Sequence, residues 1–415
     1  MSKITRLIFV DGDDNHNKIY NMTDLGDGTW LAEWGRVGAS MQSAKYDSSA
    51  WDKKYREKLK KGYRDVTENY VEPITSESST NESSIDFAKG RLGSVVDFVK
   101  KLMGFANKSI QENYTVSAKQ VTQKQVDNAQ EAFNRIAMLV ASEDNYAEIN
   151  NSLLELYSII PRKMKQVKLH LLSTDDDDMD AKFKEILKNE QDTLDVMAGQ
   201  VLLNKDVADA TAEGSDKSEE VDILTASGLE IVECTAEECK MLKDMMDYDR
   251  DKFHRAFRVV NKSTQSRFDG SVSAAQDKKK MLLWHGSRNE NWWNIFQTGL
   301  LIRPSSAVYS GSMFGDGCYF ASEFNKSLGY TSYSGSRWAG GTSKTAFLAV
   351  FDVHVGKQHV VHRHDSSCYD LSKEKLKRLG GYDSTHAKKG PSLYRDEFIV
   401  YDVKQCTIKY VVEIK

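Results

Sequence analysis

Several absences narrow the class of this 415-residue chain before any motif is read. Its five cysteines, Cys234, Cys239, Cys318, Cys368 and Cys406, are odd in number and form no Cys-x-x-Cys pair. That argues against a disulfide frame and a zinc finger, and for reduced thiols in an intracellular protein. No window approaches the roughly 18 uninterrupted apolar residues of a membrane span, so no membrane partner is expected. The first residues, Met1-Ser2-Lys3-Ile4-Thr5-Arg6, carry no apolar signal core, and nothing points to secretion. No internal repeat is visible. A basic excess is also missing: the net charge is −4, which is not that of a nucleic-acid binder taken as a whole. What is there is 40% hydrophobic and 28% charged, the composition of an ordinary soluble globular protein. The length fits roughly two to four domains.

The first 72 residues read as a small sheet plus a helix. Residues 4–10, 18–22 and 30–34 have strand patterning, with turn signals at Asp11-Gly12 and Asp27-Gly28. Residues 48–61 are helix-like, with Ser48 or Ser49 as the expected N-cap. Between Arg36 and Arg64 there are nine Lys or Arg against three Asp or Glu, among them Lys53, Lys54, Lys58 and Lys61. Taken alone, such a run is a solvated helix face. Residues 73–84 are polar and Ser-rich, the composition of a linker.

The next stretch is helical. Thr122-Gln123-Lys124-Gln125 has capping-box spacing and leads into Val126, Ala129, Phe133, Ile136, Ala137 and Val140. Leu153, Leu154, Leu156, Tyr157 and Ile160 form a second stripe, stopped by Pro161; Phe183, Ile186, Leu187, Leu194, Met197 and Val201 form a third. With residues 95–102 these predict a helical bundle. Asp175 to Asp178 reads as a solvated turn, since calcium-loop spacing is missing. Residues 205–220, rich in Ala, Ser, Asp and Glu, read as a second linker or mobile loop.

Chemistry concentrates in the last third. Trp284-His285-Gly286-Ser287-Arg288 is followed by Gly317-Cys318-Tyr319-Phe320, by Lys326-Ser327-Leu328-Gly329-Tyr330, and by Tyr394-Arg395-Asp396-Glu397-Phe398-Ile399-Val400-Tyr401-Asp402. A histidine can hydrogen-bond a ribose hydroxyl, a tyrosine ring can stack on nicotinamide, and a glutamate can favour positive charge developing on the sugar. Such a set suits cleavage of the nicotinamide–ribose bond of NAD+. A rival cluster, His354, His359, His362 and His364 with Cys368, fits no common zinc spacing, and no metal is expected.

These segments resemble the catalytic domain of the poly(ADP-ribose) polymerases, from residue 282 to 415 and more loosely back to 224. Upstream, Trp34-Gly35-Arg36-Val37-Gly38, preceded by Asn17-Lys18-Ile19-Tyr20, resembles the WGR domain. The helical stretch with Tyr157-Ser158-Ile159-Ile160-Pro161 resembles the helical regulatory domain of the DNA-dependent members. The resemblance implies a multidomain α+β protein. Its parts would be a β-sheet-plus-helix WGR domain at 1–72, a linker at 73–84, an all-α bundle at 85–215 and a mixed α/β catalytic domain at 222–415.

It further implies an enzyme that transfers and polymerises ADP-ribose from NAD+ onto protein acceptors, itself included, and is activated by DNA strand breaks. Single-unit transfer, or a DNA-end scaffold with little catalysis, stays open beside it. The location would be the nucleus in a eukaryote, otherwise the cytoplasm in association with DNA. By the same resemblance His285 meets the adenosine-side ribose and the Gly286 backbone holds the carboxamide. Ser287 lies near ribose and phosphates, and Tyr319 and Tyr330 sandwich the nicotinamide. Ser327 meets the carboxamide, Lys326 lies close to the catalytic Glu397, and Trp34 and Arg36 serve DNA-end sensing together with Lys53, Lys54, Lys58 and Lys61. Leu301 stands where many members carry arginine, with Arg303 as a substitute, and residues 356–391 are shorter than in long members.

Overall fold

A computed structural model of the chain describes residues 3–67, 87, 91–213, 222–302 and 312–415. The linker expected at 73–84, the end of the second linker at 214–220, and Arg303 lie outside them. The described residues are mixed α/β, with three sheets. By contacts the chain divides into two compact units, Met1–Thr80 with Lys108–Leu202, and Asn81–Asn107 with Leu203–Lys415.

The first unit opens with an antiparallel sheet in the order β4-β3-β2-β1-β5. Its strands are β1 (Ile4–Asp11), β2 (His16–Asp24), β3 (Thr29–Arg36), β4 (Gln42–Asp47) and the short β5 (Arg64–Asp65). Alternation along β1 to β3 buries Leu7, Tyr20, Met22, Trp30 and Ala32 against Trp51 of helix α1 (Trp51–Lys60). The expected serine cap is corrected. Asp47 accepts from the backbone of Ser49 at 2.9 Å and starts a short 3-10 turn ahead of α1, because a carboxylate at the strand end reaches the free N–H groups first.

The bundle of this unit uses α3 (Gln123–Ala137), α4 (Tyr146–Ile159), the end of α2 (Gly93–Asn113) and most of α5 (Met179–Glu213). The Thr122–Gln125 capping box forms in both directions, at 3.0 Å each way. Every member of the first stripe is buried except Val140, which is 74% exposed because α3 has ended at Ala137. Asp178 caps α5 through the Ala181 N–H at 2.9 Å, which gives the acidic run a local use. The second linker is corrected over residues 205–213, which are helical and continue α5. Alanine, lysine and glutamate favour helix, and Leu203 and Val207 have a core to enter.

That core belongs to the second unit. Val95, Phe98, Val99 and Leu102 of α2 lie in it with Phe257, Phe296 and Phe347, and the Phe98 ring stacks on Phe257 at 4.2 Å. The start of α2 and residues 203–207 pack with the C-terminal sheets, since their apolar faces are buried there.

One sheet of this unit runs β6 (Leu229–Glu233), β7 (Phe253–Asn261), β14 (Cys406–Ile414), β10 (Ala346–His354) and β8 (Lys280–Gly286). The other runs β11 (Gln358–Val361), β12 (Ser384–Ala387), β13 (Glu397–Val400) and β9 (Cys318–Phe320). Only β11 and β12 pair in parallel among these strands. β10, buried along its length except at Asp352, lies between the central β14 and the edge strand β8.

Candidate functional site

Backbone pairing brings the separated motifs together. His285 is the next-to-last residue of β8, opposite Ala349 of β10. A bridge between Trp284 and Ala321 joins β8 to the end of β9. On β9, Tyr319 lies opposite Ile399, two positions from Glu397 at the start of β13. Strand residues two apart share a face, so Tyr319, Ile399 and Glu397 stand on one side of that sheet.

His285 Nδ1 lies 3.0 Å from the Tyr319 carbonyl oxygen. The carbonyl only accepts, which assigns the proton to Nδ1 and leaves Nε2 as the nitrogen able to meet a hydroxyl. Burial lowers the imidazole pKa, against a smaller raising effect from that hydrogen bond, so the ring is neutral near pH 7. Around it stand the rings of Trp292, Phe320 and Phe351, all within 6.4 Å, which fix its plane.

Tyr319 is held at both ends. Its hydroxyl accepts from Phe314 N–H at 3.0 Å and donates to the Gly315 carbonyl at 2.7 Å, closing a short loop onto its own strand. Gly315 needs to be glycine: φ is +77°, and a Cβ there would sit 1.9 Å from the Leu371 carbonyl. Tyr330 follows the helix Phe324–Leu328 and is 43% exposed. Burial of the ring, then the Glu397 carboxylate, pushes its phenol up to about 12. The same two effects raise Tyr319, the carboxylate the weaker of them. Both tyrosines therefore feel the charge of Glu397.

Glu397 is paired. Lys326 Nζ lies 2.5 Å from its Oε1, with side chains 14% and 12% exposed, and also reaches the Arg395 carbonyl at 3.4 Å. Arg395 in turn pairs with Glu323, the N-cap of the Lys326 helix. Two ion pairs thus fasten this helix to the start of β13. Ser327, on the same helix, is buried. Gly286 packs so close to it that a Cβ would fall 1.9 Å from the Ser327 carbonyl oxygen, so no other residue fits. The Ser287 hydroxyl accepts from Asn291 at 3.2 Å. A backbone cradle at Gly286, two aromatic rings, a neutral histidine and a lysine-paired carboxylate fit the two ends of NAD+ that must be gripped for glycosidic cleavage.

In the first unit, Trp34 is half-buried on β3. It stacks on Tyr20 of β2 across the strand pair at 5.9 Å and donates its indole N–H to Gln42 at 3.0 Å. Arg36 reaches the Asn15 carbonyl at 2.6 Å and the carbonyls of Met164 and Lys165 at 3.0 and 2.9 Å, joining the sheet to the segment after α4. Asn17 adds a buried bond to the Arg162 carbonyl at 2.8 Å. Lys58 lies 3.9 Å over the Tyr20 ring; Lys54 and Lys61 flank Glu57 at 3.4 and 2.8 Å; Lys53 is exposed.

The rival histidines are dispersed. His354 contacts the Asp277 carbonyl, His364 the Met313 carbonyl, and His359 the Tyr382 ring. Among the described residues no group of three His, Cys, Asp or Glu could hold a metal ion, and no helix is long and apolar enough to cross a membrane. Sequence reasoning missed Asn15, which adopts a positive φ between β1 and β2; its signal was an asparagine closing the polar run Asp11-Gly12-Asp13-Asp14. It also missed Trp338, an exposed tryptophan close behind Tyr330 in a glycine-rich segment.

Residues 236–415 match the family model of the poly(ADP-ribose) polymerase catalytic domain. Protein 101L of Invertebrate iridescent virus 6 is 34% identical over 49% of this chain and 80% of its own length. The poly(ADP-ribose) polymerase-like protein 100L of the same virus is 32% identical over 40% of this chain and 87% of its own. Poly(ADP-ribose) polymerase 2-A of Oryza sativa subsp. japonica is 23% identical, spanning 97% of this chain and 68% of the rice protein.

Proposed function

The chain belongs to the poly(ADP-ribose) polymerase family and is an ADP-ribosyltransferase that takes NAD+ as its substrate, and from that premise we propose that it builds poly(ADP-ribose) on protein acceptors, itself included, when its N-terminal region meets a DNA end. The observation that carries the catalytic part is the convergence of His285, Tyr319 and the Lys326-paired Glu397 on adjoining strands. In this reading His285 Nε2 holds the adenosine-side ribose and Gly286 and Ser327 take the carboxamide. Ser287 lies by ribose and phosphates, Tyr319 and Tyr330 enclose the nicotinamide, and Glu397 stabilises the developing sugar cation and orients the acceptor hydroxyl. Residues 1–72 act as a WGR domain, 85–215 as the restraining helical region and 222–415 as the catalytic part. The place of action is wherever the genome is, the nucleus in a eukaryotic cell.

DNA dependence is supported by the N-terminal arrangement. The Tyr20–Trp34 stack lies beside Lys58, with Lys53 and Lys54 on the same helix and Lys61 just past its end. Surface pairs such as Lys61–Glu57 are worth little, about 0–1 kcal/mol, so a phosphate can replace the carboxylate. Arg36 instead joins the sheet to the chain after α4. The two residues should therefore separate sensing from transmission. Trp34→Ala is expected to weaken DNA-end affinity roughly 5- to 100-fold, the worth of one stacking contact. Arg36→Ala is expected to leave that affinity nearly intact while DNA stimulation of nicotinamide release falls. Fluorescence anisotropy with a blunt duplex, alongside turnover with and without it, checks both. Wild-type affinity in folded Trp34→Ala together with full stimulation of both variants would sink the proposal.

A further inference from the structure

Trp338 is 55% exposed, yet its surroundings hold it in one place. Its backbone N–H and that of Ala339 both donate to the Gly329 carbonyl, at 2.9 and 3.1 Å. A Cβ on Gly329 would come within 2.9 Å of Trp338 Cδ1, so the glycine before Tyr330 is the space that admits the indole. The loop that carries it is tied across its base: Ser334 N–H to the Ser343 carbonyl at 2.8 Å, Ser343 N–H to the Ser332 carbonyl at 2.9 Å, and Gly341 N–H to the Ser336 hydroxyl at 2.8 Å. The indole stacks on Tyr330 with centroids 6.2 Å apart and planes 20° apart, and the Arg337 guanidinium lies 4.9 Å from the indole centroid.

An indole left this open forgoes burial that a core site would give it, so its order needs another reason. We propose that Trp338 is a positioning residue for NAD+: in an offset stack it braces one side of Tyr330, limits the tilt of the phenol plane, and leaves the ring's free face for the planar aromatic amide of the substrate. This rests on the reading of Tyr330 as a nicotinamide partner. A phenol free to turn on its own would lose orientation each time a ligand bound; a phenol clamped by an indole does not. The Arg337–Trp338–Tyr330 series is then one stacked support, with the ligand as its next layer.

The test uses the full chain and nicotinamide itself as the probe. Trp338→Ala is expected to raise the Kd of nicotinamide and the KM for NAD+ together, by roughly 3- to 10-fold, the worth of one aromatic pair. The kcat at saturating NAD+ should stay close to wild type, and Trp338→Phe should restore most of the affinity. A merely structural role would lower thermal stability and kcat without this split. Tyr330→Ala is run in parallel. If it weakens nicotinamide binding while Trp338→Ala leaves the Kd unchanged or tightens it, the inference alone is overturned. If Tyr330→Ala leaves the Kd unchanged, the reading of Tyr330 falls, and the inference with it.

Discussion

Glu397→Gln is expected to lower ADP-ribose chain formation on the order of 10²–10³-fold, as for removal of one preorganised electrostatic group. The amide keeps the shape and a hydrogen-bonding oxygen, so NAD+ should still bind. What goes is the negative charge close to the sugar, which matters more as positive charge develops than in the bound substrate. A second consequence follows from the pairing at 2.5 Å with Lys326. With glutamine at 397, the lysine is left as an uncompensated cation near the reacting ribose and opposes the same charge development. Lys326→Met should therefore cost less in the Glu397→Gln background than in wild type, and a double-mutant cycle on initial rates reads that difference. Long polymer from Glu397→Gln at near wild-type rate would remove Glu397 from its assigned role.

The second large effect is on stability. Glu413 is fully buried on β14 and takes Lys101 of α2 at 2.5 Å and Arg255 of β7 at 2.6 Å. Burial raises its pKa, but the hydrogen bonds from Lys101 and Arg255 outweigh it and leave the carboxyl below its ordinary 4.5. Glu413→Ala leaves two cations facing a buried gap. Removing one member of a buried pair costs about 3–5 kcal/mol. Lys101 and Arg255 keep 31% and 26% exposure and can partly rehydrate, which favours the low end. At about 2–4 °C per kcal/mol for a unit of this size, the second unit should melt roughly 6–12 °C lower. The sign with pH is fixed: a depressed folded pKa gives stability that is present above 4.5 and lost as pH falls through the folded value. The gap between wild type and Glu413→Gln should therefore close in acid, and a gap that widens below pH 4.5 would contradict this.

How much of this was legible in the sequence depended on whether the signal was local. The Thr122–Gln125 box is four residues long and formed as read. The three strands at 4–10, 18–22 and 30–34 sit within β1, β2 and β3, because alternation and turn residues specify them without distant partners. The edge strand β4 and the two-residue β5 carried no such pattern, being exposed or nearly so along their length. Val140 continued a stripe whose helix stopped three residues earlier. Residues 205–213 looked like linker by composition, whereas Leu203 and Val207, with a hydrophobic core to enter, keep them helical. His285, Tyr319 and Glu397 lie on strands, in keeping with the strand-like residues around them in the sequence, but the Lys326–Glu397 distance and the clamp of Tyr319 on Gly315 exist only in three dimensions. Glu413 was invisible for the same reason, since neither of its partners lies within 150 positions of it.

On the proposed reading, this chain polymerises ADP-ribose from NAD+ on demand from a DNA end. The most direct measurement incubates the full chain with adenine-labelled NAD+, with and without a blunt DNA duplex, and sizes the protein-bound label on a gel while nicotinamide release is counted. A ladder of long products and faster nicotinamide release are expected when DNA is present, both lost in Glu397→Gln. Label confined to single ADP-ribose units, with a rate that DNA leaves unchanged, would contradict it.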